Sequence, residues 1–266
     1  MSALLLCTLM VAVGAEAKVE LVAHRGESAD APENTLAAFK LAWERKVSAI
    51  ELDVHLSRDG QLVVIHDADT ERTAGTKKLI KTHTWDELRG LDVGRWKDER
   101  FAGEALCLLG PALATIPEGC RCLIEVKVGP EAVPALVEAV NDSRKSPEQL
   151  AVISFNAETV AETKRRLPQH QVYFLTSFKQ DKATGEFTPT VEQLVEQAKQ
   201  LGVDGVDVSF KGPIDEAFVR HVKQAGLELH VWTVDDAQEA RRLQRLGVDG
   251  ITTNKAAWLR EALRTP

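Results

Sequence analysis

The stretch Leu201-Gly-Val-Asp-Gly205 recurs as Leu246-Gly-Val-Asp-Gly250, and each copy stands between a segment with helical spacing and a short run with strand character. The glycine after the leucine suits a helix end in the left-handed conformation, and the recurrence implies one building unit used twice. Working outward, the same alternation of apolar run, polar loop and helical segment extends along the chain. Strands are expected at residues 19–23, 49–54, 122–126, 151–154, 172–175, 205–208, 228–232 and 250–253. Helices are expected at 35–45, 131–140, 157–167, 191–200, 215–225, 236–246 and 256–263. Strands alternating with helices predict a parallel sheet covered by helices. Eight such strands suit a closed (β/α)8 TIM barrel, and no Gly-x-Gly-x-x-Gly fingerprint after the first strand favours an open dinucleotide-binding sheet.

The length of 266 residues accommodates one such barrel. With 33 basic against 40 acidic residues the net charge is −7, which argues against a nucleic-acid-binding face, so an anionic ligand must be held by local charge. Residues 3–13 are largely apolar and precede Ala15-Glu16-Ala17, a small-x-small pattern that reads as signal-peptide cleavage before Lys18. That places residues 1–17 as an export signal and the mature domain at 18–266, secreted or periplasmic. The apolar run is shorter than the roughly 20 residues of a spanning helix, so no stable membrane anchor is expected. Cys120 and Cys122 are two apart at a strand start, which suits packing rather than a metal or redox pair. Residues 67–117 break the alternation and read as an insertion over the mouth of the barrel.

Glu51 and Asp53 lie two apart on a predicted strand, so both carboxylates face one side, and His55 continues that row. Such a pair repels itself unless a cation lies between, although the same alternation also marks a solvent-facing strand. Glu125, near the end of another strand, offers a third oxygen ligand. An all-oxygen set suits Mg²⁺ or Ca²⁺ rather than Zn²⁺. His24 and Arg25 leave one strand end together, and His66 ends the run from Leu62 to Ile65. Arginine binds phosphate oxygens in a bidentate manner while histidine moves protons near neutral pH. Cleaving a phosphodiester needs one group to deprotonate the attacking oxygen and another to protonate the leaving one, and two histidines can divide that work.

His24-Arg25-Gly26, Pro32-Glu33-Asn34-Thr35, Glu51-Leu52-Asp53-Val54, Arg58-Asp59-Gly60, His66-Asp67, Arg72-Thr73, Ile124-Glu125-Val126-Lys127 and Trp232-Thr233-Val234 stand in an order that resembles the glycerophosphodiester phosphodiesterase family. The match spans about Val19 to Thr253. The resemblance implies a TIM barrel with a subdomain inserted after the second strand, and hydrolysis of a glycerophosphodiester to glycerol 3-phosphate and an alcohol. It implies His24 and His66 as the acid and base pair, Glu51, Asp53 and Glu125 as ligands of one divalent cation, and Arg25 and Lys127 as phosphate contacts. Trp232, at the mouth end of a late strand, lines the substrate pocket or packs in the core. Glu33-Asn34-Thr35 reads as a helix start capped by Asn34 or Thr35, with Glu33 near the site. The chain departs from the family pattern in reading Ala105-Leu-Cys-Leu-Leu109 after Glu104, and in carrying Asp235 where Asn is common. Two other functions remain open at this point. One is a phospholipase D-like activity on lysolipids, with Leu106, Leu108 and Leu109 forming an apolar groove. The other is a catalytically silent module that binds phosphorylated glycerol compounds.

Overall fold

In the computed structural model, which describes residues 19–264, eight parallel strands close into a barrel. They are β1 (Glu20–Ala23), β2 (Ala49–Leu56), β3 (Arg121–Val126), β4 (Leu150–Ser154), β5 (Gln171–Thr176), β6 (Gly205–Ser209), β7 (Glu228–Trp232) and β8 (Gly250–Thr253). Each pairs with its neighbour, and β1 closes the ring by pairing with both β2 and β8. The expected export segment, residues 1–17, lies outside the described residues. Among the described residues no helix is long and apolar enough to cross a membrane.

The long outer helices are α1 (Leu36–Glu44), α2 (Val133–Ser143), α3 (Ala157–Arg166), α4 (Val191–Leu201), α5 (Glu216–Gln224), α6 (Ala237–Leu246) and α7 (Ala256–Arg264). Five of them start where a polar side chain accepts an orphan N–H: Thr35 at α1, Asn156 at α3, Thr190 at α4, Asp215 at α5 and Asp236 at α6. The opening repeat shows why its residues recur. Gly202 and Gly247 end α4 and α6 with φ of 70° and 86°. Asp204 and Asp249 then accept the backbone N–H of Val172 at 2.8 Å and of Leu229 at 2.6 Å, tying each turn to the preceding strand.

Strand alternation sorts the side chains. Ile50, Leu52 and Val54 of β2 point outward into the large apolar layer beneath the helices, whereas Ala49 joins Val22, Leu123, Ala151, Ile153, Tyr173 and Leu175 inside the barrel. Glu51 and Asp53 share the inward face of Ala49. Cys122 is buried in the outer layer and Cys120 packs against it, and both are free thiols.

Between β2 and β3 the chain leaves the barrel. A short strand, Leu62–Val64, pairs antiparallel with the end of β2 and with Cys107–Leu108. The intervening turns bury their own cluster of Val63, Ile65, Ile80, Leu88, Val93 and Leu106. This unit is pinned to the β1–α1 loop and the first turn of α1: Lys97 donates to the Ser28 carbonyl at 2.7 Å, and Glu104 accepts the Ala37 N–H at 3.0 Å. The departure at Ala105 to Leu109 resolves into that returning strand and the start of a six-residue helix, Leu109–Ala114.

Gly26 holds the turn that follows β1, with φ of 80°. A Cβ there would lie 2.7 Å from the carbonyl carbon and Cβ of Ala38 in α1. Gly26→Ala therefore combines a left-handed alanine with a backbone clash and is expected to cost about 2 kcal/mol or more, read as a lowered midpoint in urea unfolding.

Candidate active site

The site lies at the C-terminal ends of the strands, in a pocket of about 270 Å³ whose lining includes His24, Arg25, Glu51, His66, Glu125 and Lys127. A larger groove of about 760 Å³ lies outside the barrel along α4 and α5, but its Glu192, Asp215 and Arg220 are solvent-exposed and gather no buried charge.

Glu51 and Asp53 are buried on β2, and the register of β2 with β3 sets Asp53 opposite Glu125. One carboxylate oxygen from each of the three falls within 4.8 Å of the others. Two cations face these three acids. Arg25 Nε lies 3.2 Å from Asp53 Oδ2, and Lys127 Nζ lies 2.7 Å from Glu125 Oε1 and 3.3 Å from Asp53 Oδ1. Burial opposes ionisation of Asp53, yet Arg25 and Lys127 outweigh it and hold the carboxyl below its ordinary range. Glu51 is pushed well above its ordinary value by burial and by Asp53 and Glu125. Burial, with Asp53 beside it, raises Glu125 to about 7. Glu51 Oε1 is buried without a hydrogen-bond partner. An orphaned oxygen within a cluster of acids that two cations do not neutralise fits a divalent ion with oxygen ligands.

The turn after β1 aims Arg25 into this cluster. Arg25 adopts a φ of 56°, its own N–H donates to Glu51 Oε2 at 2.9 Å, and its Nη1 donates to Glu33 at 2.8 Å. Glu33 is in turn held by Arg72 through two bonds of 2.7 and 2.9 Å. Thr35, not Asn34, caps α1. Asn34 instead takes φ of 58° and brackets Asp53, donating to Oδ2 at 2.8 Å and accepting the Asp53 N–H at 3.1 Å.

The two histidines are held by partners of different charge. His24 Nδ1 is 2.7 Å from Asn254 Oδ1. Asn254 has its amide turned that way because its Nδ2 donates to Asp235 Oδ2 at 2.6 Å, while Asp235 Oδ1 also accepts from Thr253 and from the Asn254 N–H. With an oxygen facing Nδ1, the ring carries its proton there and leaves the Nε2 lone pair free. Burial, followed by Arg25, lowers His24 to about 4, so it is neutral at physiological pH. His66 Nδ1 lies 2.7 Å from the carboxylate of Asp67, which Arg72 Nε grips at 2.6 Å. Asp67 is ionised despite partial burial, since Arg72 and His66 hold it down to about 2. His55, beside the acids in the strand row, is 3.0 Å from the His66 carbonyl through Nε2 and so anchors the loop that carries His66.

Trp232 lines the pocket, its indole N–H donating to the Asp207 carbonyl at 3.2 Å, and it meets Phe155 edge to face at a centroid distance of 5.7 Å. Of the residues expected from sequence, His24, Arg25, Glu51, His66, Glu125, Lys127 and Trp232 line this one pocket, and Asp53 lies in its acidic cluster. Sequence reasoning missed Asn254, Asp235, Asp67, Arg72 and Asp207 as parts of the site. Asp67 and Arg72 stood within quoted motifs, but nothing in a linear pattern brings Asn254 to His24. Leu106 and Leu109 are buried, and Leu108 and Leu109 edge a separate groove with Gly60, Pro111 and Ala139, so no apolar groove forms from them beside the acids.

The family model described as glycerophosphoryl diester phosphodiesterase matches residues 24–257. The chain is similar to a glycerophosphodiester phosphodiesterase of Caldanaerobacter subterraneus, 34% identical over 241 residues and covering 89% of this chain and 94% of that protein. It is also similar to one of Bacillus subtilis, at 28% identity with 89% and 84% covered. Among solved structures it is similar to an Oleispira antarctica phosphodiesterase in complex with the product sn-glycerol-3-phosphate, with TM-score 0.84, 27% identity and 92% and 97% covered. A Parabacteroides distasonis glycerophosphodiester phosphodiesterase gives TM-score 0.77 at 26% identity, with 94% and 99% covered.

In the metal-free protein Glu125 is expected to take up its proton as pH falls through about 7, a change visible in carboxyl infrared difference spectra. Lys127→Met removes the cation 2.7 Å away and is expected to move that titration upward. An unchanged midpoint would contradict this account of the cluster.

Proposed function

The chain belongs to the glycerophosphoryl diester phosphodiesterase family, and on that footing we propose that it hydrolyses glycerophosphodiesters to glycerol 3-phosphate and an alcohol at the pocket described above. The observation that carries the reading is the convergence, in one pocket, of three buried acids, two cations and two histidines whose partners differ in charge.

Arg25 and Lys127 contact the phosphoryl oxygens, Arg25 from a guanidinium already oriented by Glu33. Glu51, Asp53 and Glu125 would hold a divalent cation, Mg²⁺ or Ca²⁺, which when bound would supply positive charge to the phosphoryl group. His24, neutral and with Nε2 unprotonated, takes the proton from the glycerol hydroxyl next to the ester carbon. That oxygen bonds to phosphorus as the bond from phosphorus to the alcohol oxygen breaks. His66, whose Nδ1 faces a carboxylate, donates its Nε2 proton to the departing alcohol. Water then opens the five-membered cyclic phosphate with the two roles exchanged, which returns both rings to their starting protonation. The neutral partner of His24 and the anionic partner of His66 support this division.

Residues 1–17 support export of the chain, to a secreted or periplasmic destination. N-terminal sequencing of the mature protein is expected to begin at Lys18, and recovery of the uncleaved chain from the cytoplasm would reject export.

His24→Ala and His66→Ala are each expected to lower kcat on glycerophosphocholine by about 10² to 10⁴ with little change in thermal stability. A chelator is expected to abolish glycerol 3-phosphate release, and added Mg²⁺ or Ca²⁺ to restore it. Near-normal turnover in both variants would defeat the assignment. Turnover that persists in the chelator would remove the cation from it. Binding of glycerol 3-phosphate with no hydrolysis would instead favour a silent binding module.

A further inference from the structure

Opposite the acidic cluster, the pocket ends in a carboxylate that the mechanism does not use. Asp207 lies on the inward face of β6, and the order of the closed ring sets β6 across the barrel from β2. Its side chain is 1% exposed and makes no hydrogen bond, with Oδ1 fully buried and unpartnered. Thr252 Oγ1, also in the pocket lining, is likewise buried without a partner. A carboxylate kept only to stabilise the barrel would be expected to sit in a hydrogen-bonded network. The network below shows the contrast: Tyr173 donates to Glu228 at 2.8 Å, and Gln171 donates to the same carboxylate at 2.7 Å. His230, in register with Asp207, makes no bond to it, and its ring stacks on Tyr173 at 4.6 Å. The lining also includes the apolar side chains of Ile153, Phe155, Leu175 and Trp232, together with Thr233 and Thr252. A ligand anchored by its phosphate among Arg25, Lys127 and the acids thus shares one pocket with an unsatisfied acceptor.

Resting on the hydrolysis proposed above, we infer that Asp207 is a specificity-determining residue that accepts a hydrogen bond from the terminal hydroxyl of the glycerol unit. The site therefore takes diesters whose glycerol end is free and turns away those acylated there, because an ester offers no hydroxyl and leaves the buried carboxylate unpaired. Burial pushes Asp207 up to about 7 against the attraction of His230. Both protonation states keep an oxygen able to accept this bond.

The test compares glycerophosphocholine with the phosphocholine ester of propane-1,2-diol, which keeps the attacking hydroxyl and lacks only the terminal one. The wild-type enzyme is expected to prefer glycerophosphocholine in kcat/KM by about 10- to 100-fold and to turn over 1-acyl lysophosphatidylcholine poorly. Asp207→Leu is expected to bring the ratio of the two soluble esters close to 1 by losing activity on glycerophosphocholine alone. Asp207→Asn keeps an accepting oxygen and is expected to retain most of the preference. A wild-type ratio preserved in Asp207→Leu, or an equal loss on both esters, overturns the assignment. The same comparison by calorimetry, with glycerol 3-phosphate against propane-1,2-diol 1-phosphate, reads the hydroxyl contact without turnover. Absence of hydrolysis with that binding preference intact would strike the phosphodiesterase reading and leave Asp207 in place.

Discussion

Three carboxylates, from Glu51, Asp53 and Glu125, are forced together inside a barrel, and much of the site is an answer to that crowding. At about 4 to 5 Å, two like charges repel by roughly 3 to 4 kcal/mol at an effective dielectric of about 20, a sizeable part of a domain's usual stability. The chain answers with Arg25 and Lys127, which suffice to keep Asp53 ionised but leave Glu51 and Glu125 displaced upward. A site left short of positive charge in this way favours a divalent cation, and only with that added charge do Arg25 and Lys127 leave the pocket positive enough for an anionic substrate. The strain of assembling the acids and the capacity to hold a phosphodiester thus share one electrostatic cause.

The surrounding side chains convert that field into geometry. Asn34 grips Asp53 from both ends, Glu33 holds Arg25, and Arg72 joins Glu33 to Asp67. Arg72 comes from the unit between β2 and β3, so that unit takes part in the site rather than merely covering it. On the other side, Asp235 turns the amide of Asn254, and Asn254 turns His24. Asp235 departs from the Asn common at that position, and here its carboxylate faces the carboxamide of Asn254. The histidines reach their different environments through partners far apart in the chain.

How much of this was legible in the sequence follows from the range of each interaction. Period-two spacing placed Glu51 and Asp53 on one face of a strand, because direction alternates along a strand whatever surrounds it, and His24 and His66 read as strand-end residues, whereas Lys127 came only with the family resemblance. The repeated Leu-Gly-Val-Asp-Gly marked helix ends and strand starts, since a left-handed glycine and a side-chain acceptor for a nearby N–H are local requirements. Asn34 was read as a possible cap, a role that Thr35 takes, because either residue satisfies the local rule and only the proximity of Asp53 decides between them.

The alternating strands and helices and the inward row of acids are therefore readable from local spacing alone, since they rest on relations within a few residues. Barrel closure alone brings Asp53 opposite Glu125, seats His24 beside Asn254, keeps Leu106 and Leu109 away from the acids, and leaves Asp207 unpaired in the pocket lining. These depend on barrel register and burial, which bring together residues up to 230 positions apart and which no local spacing encodes.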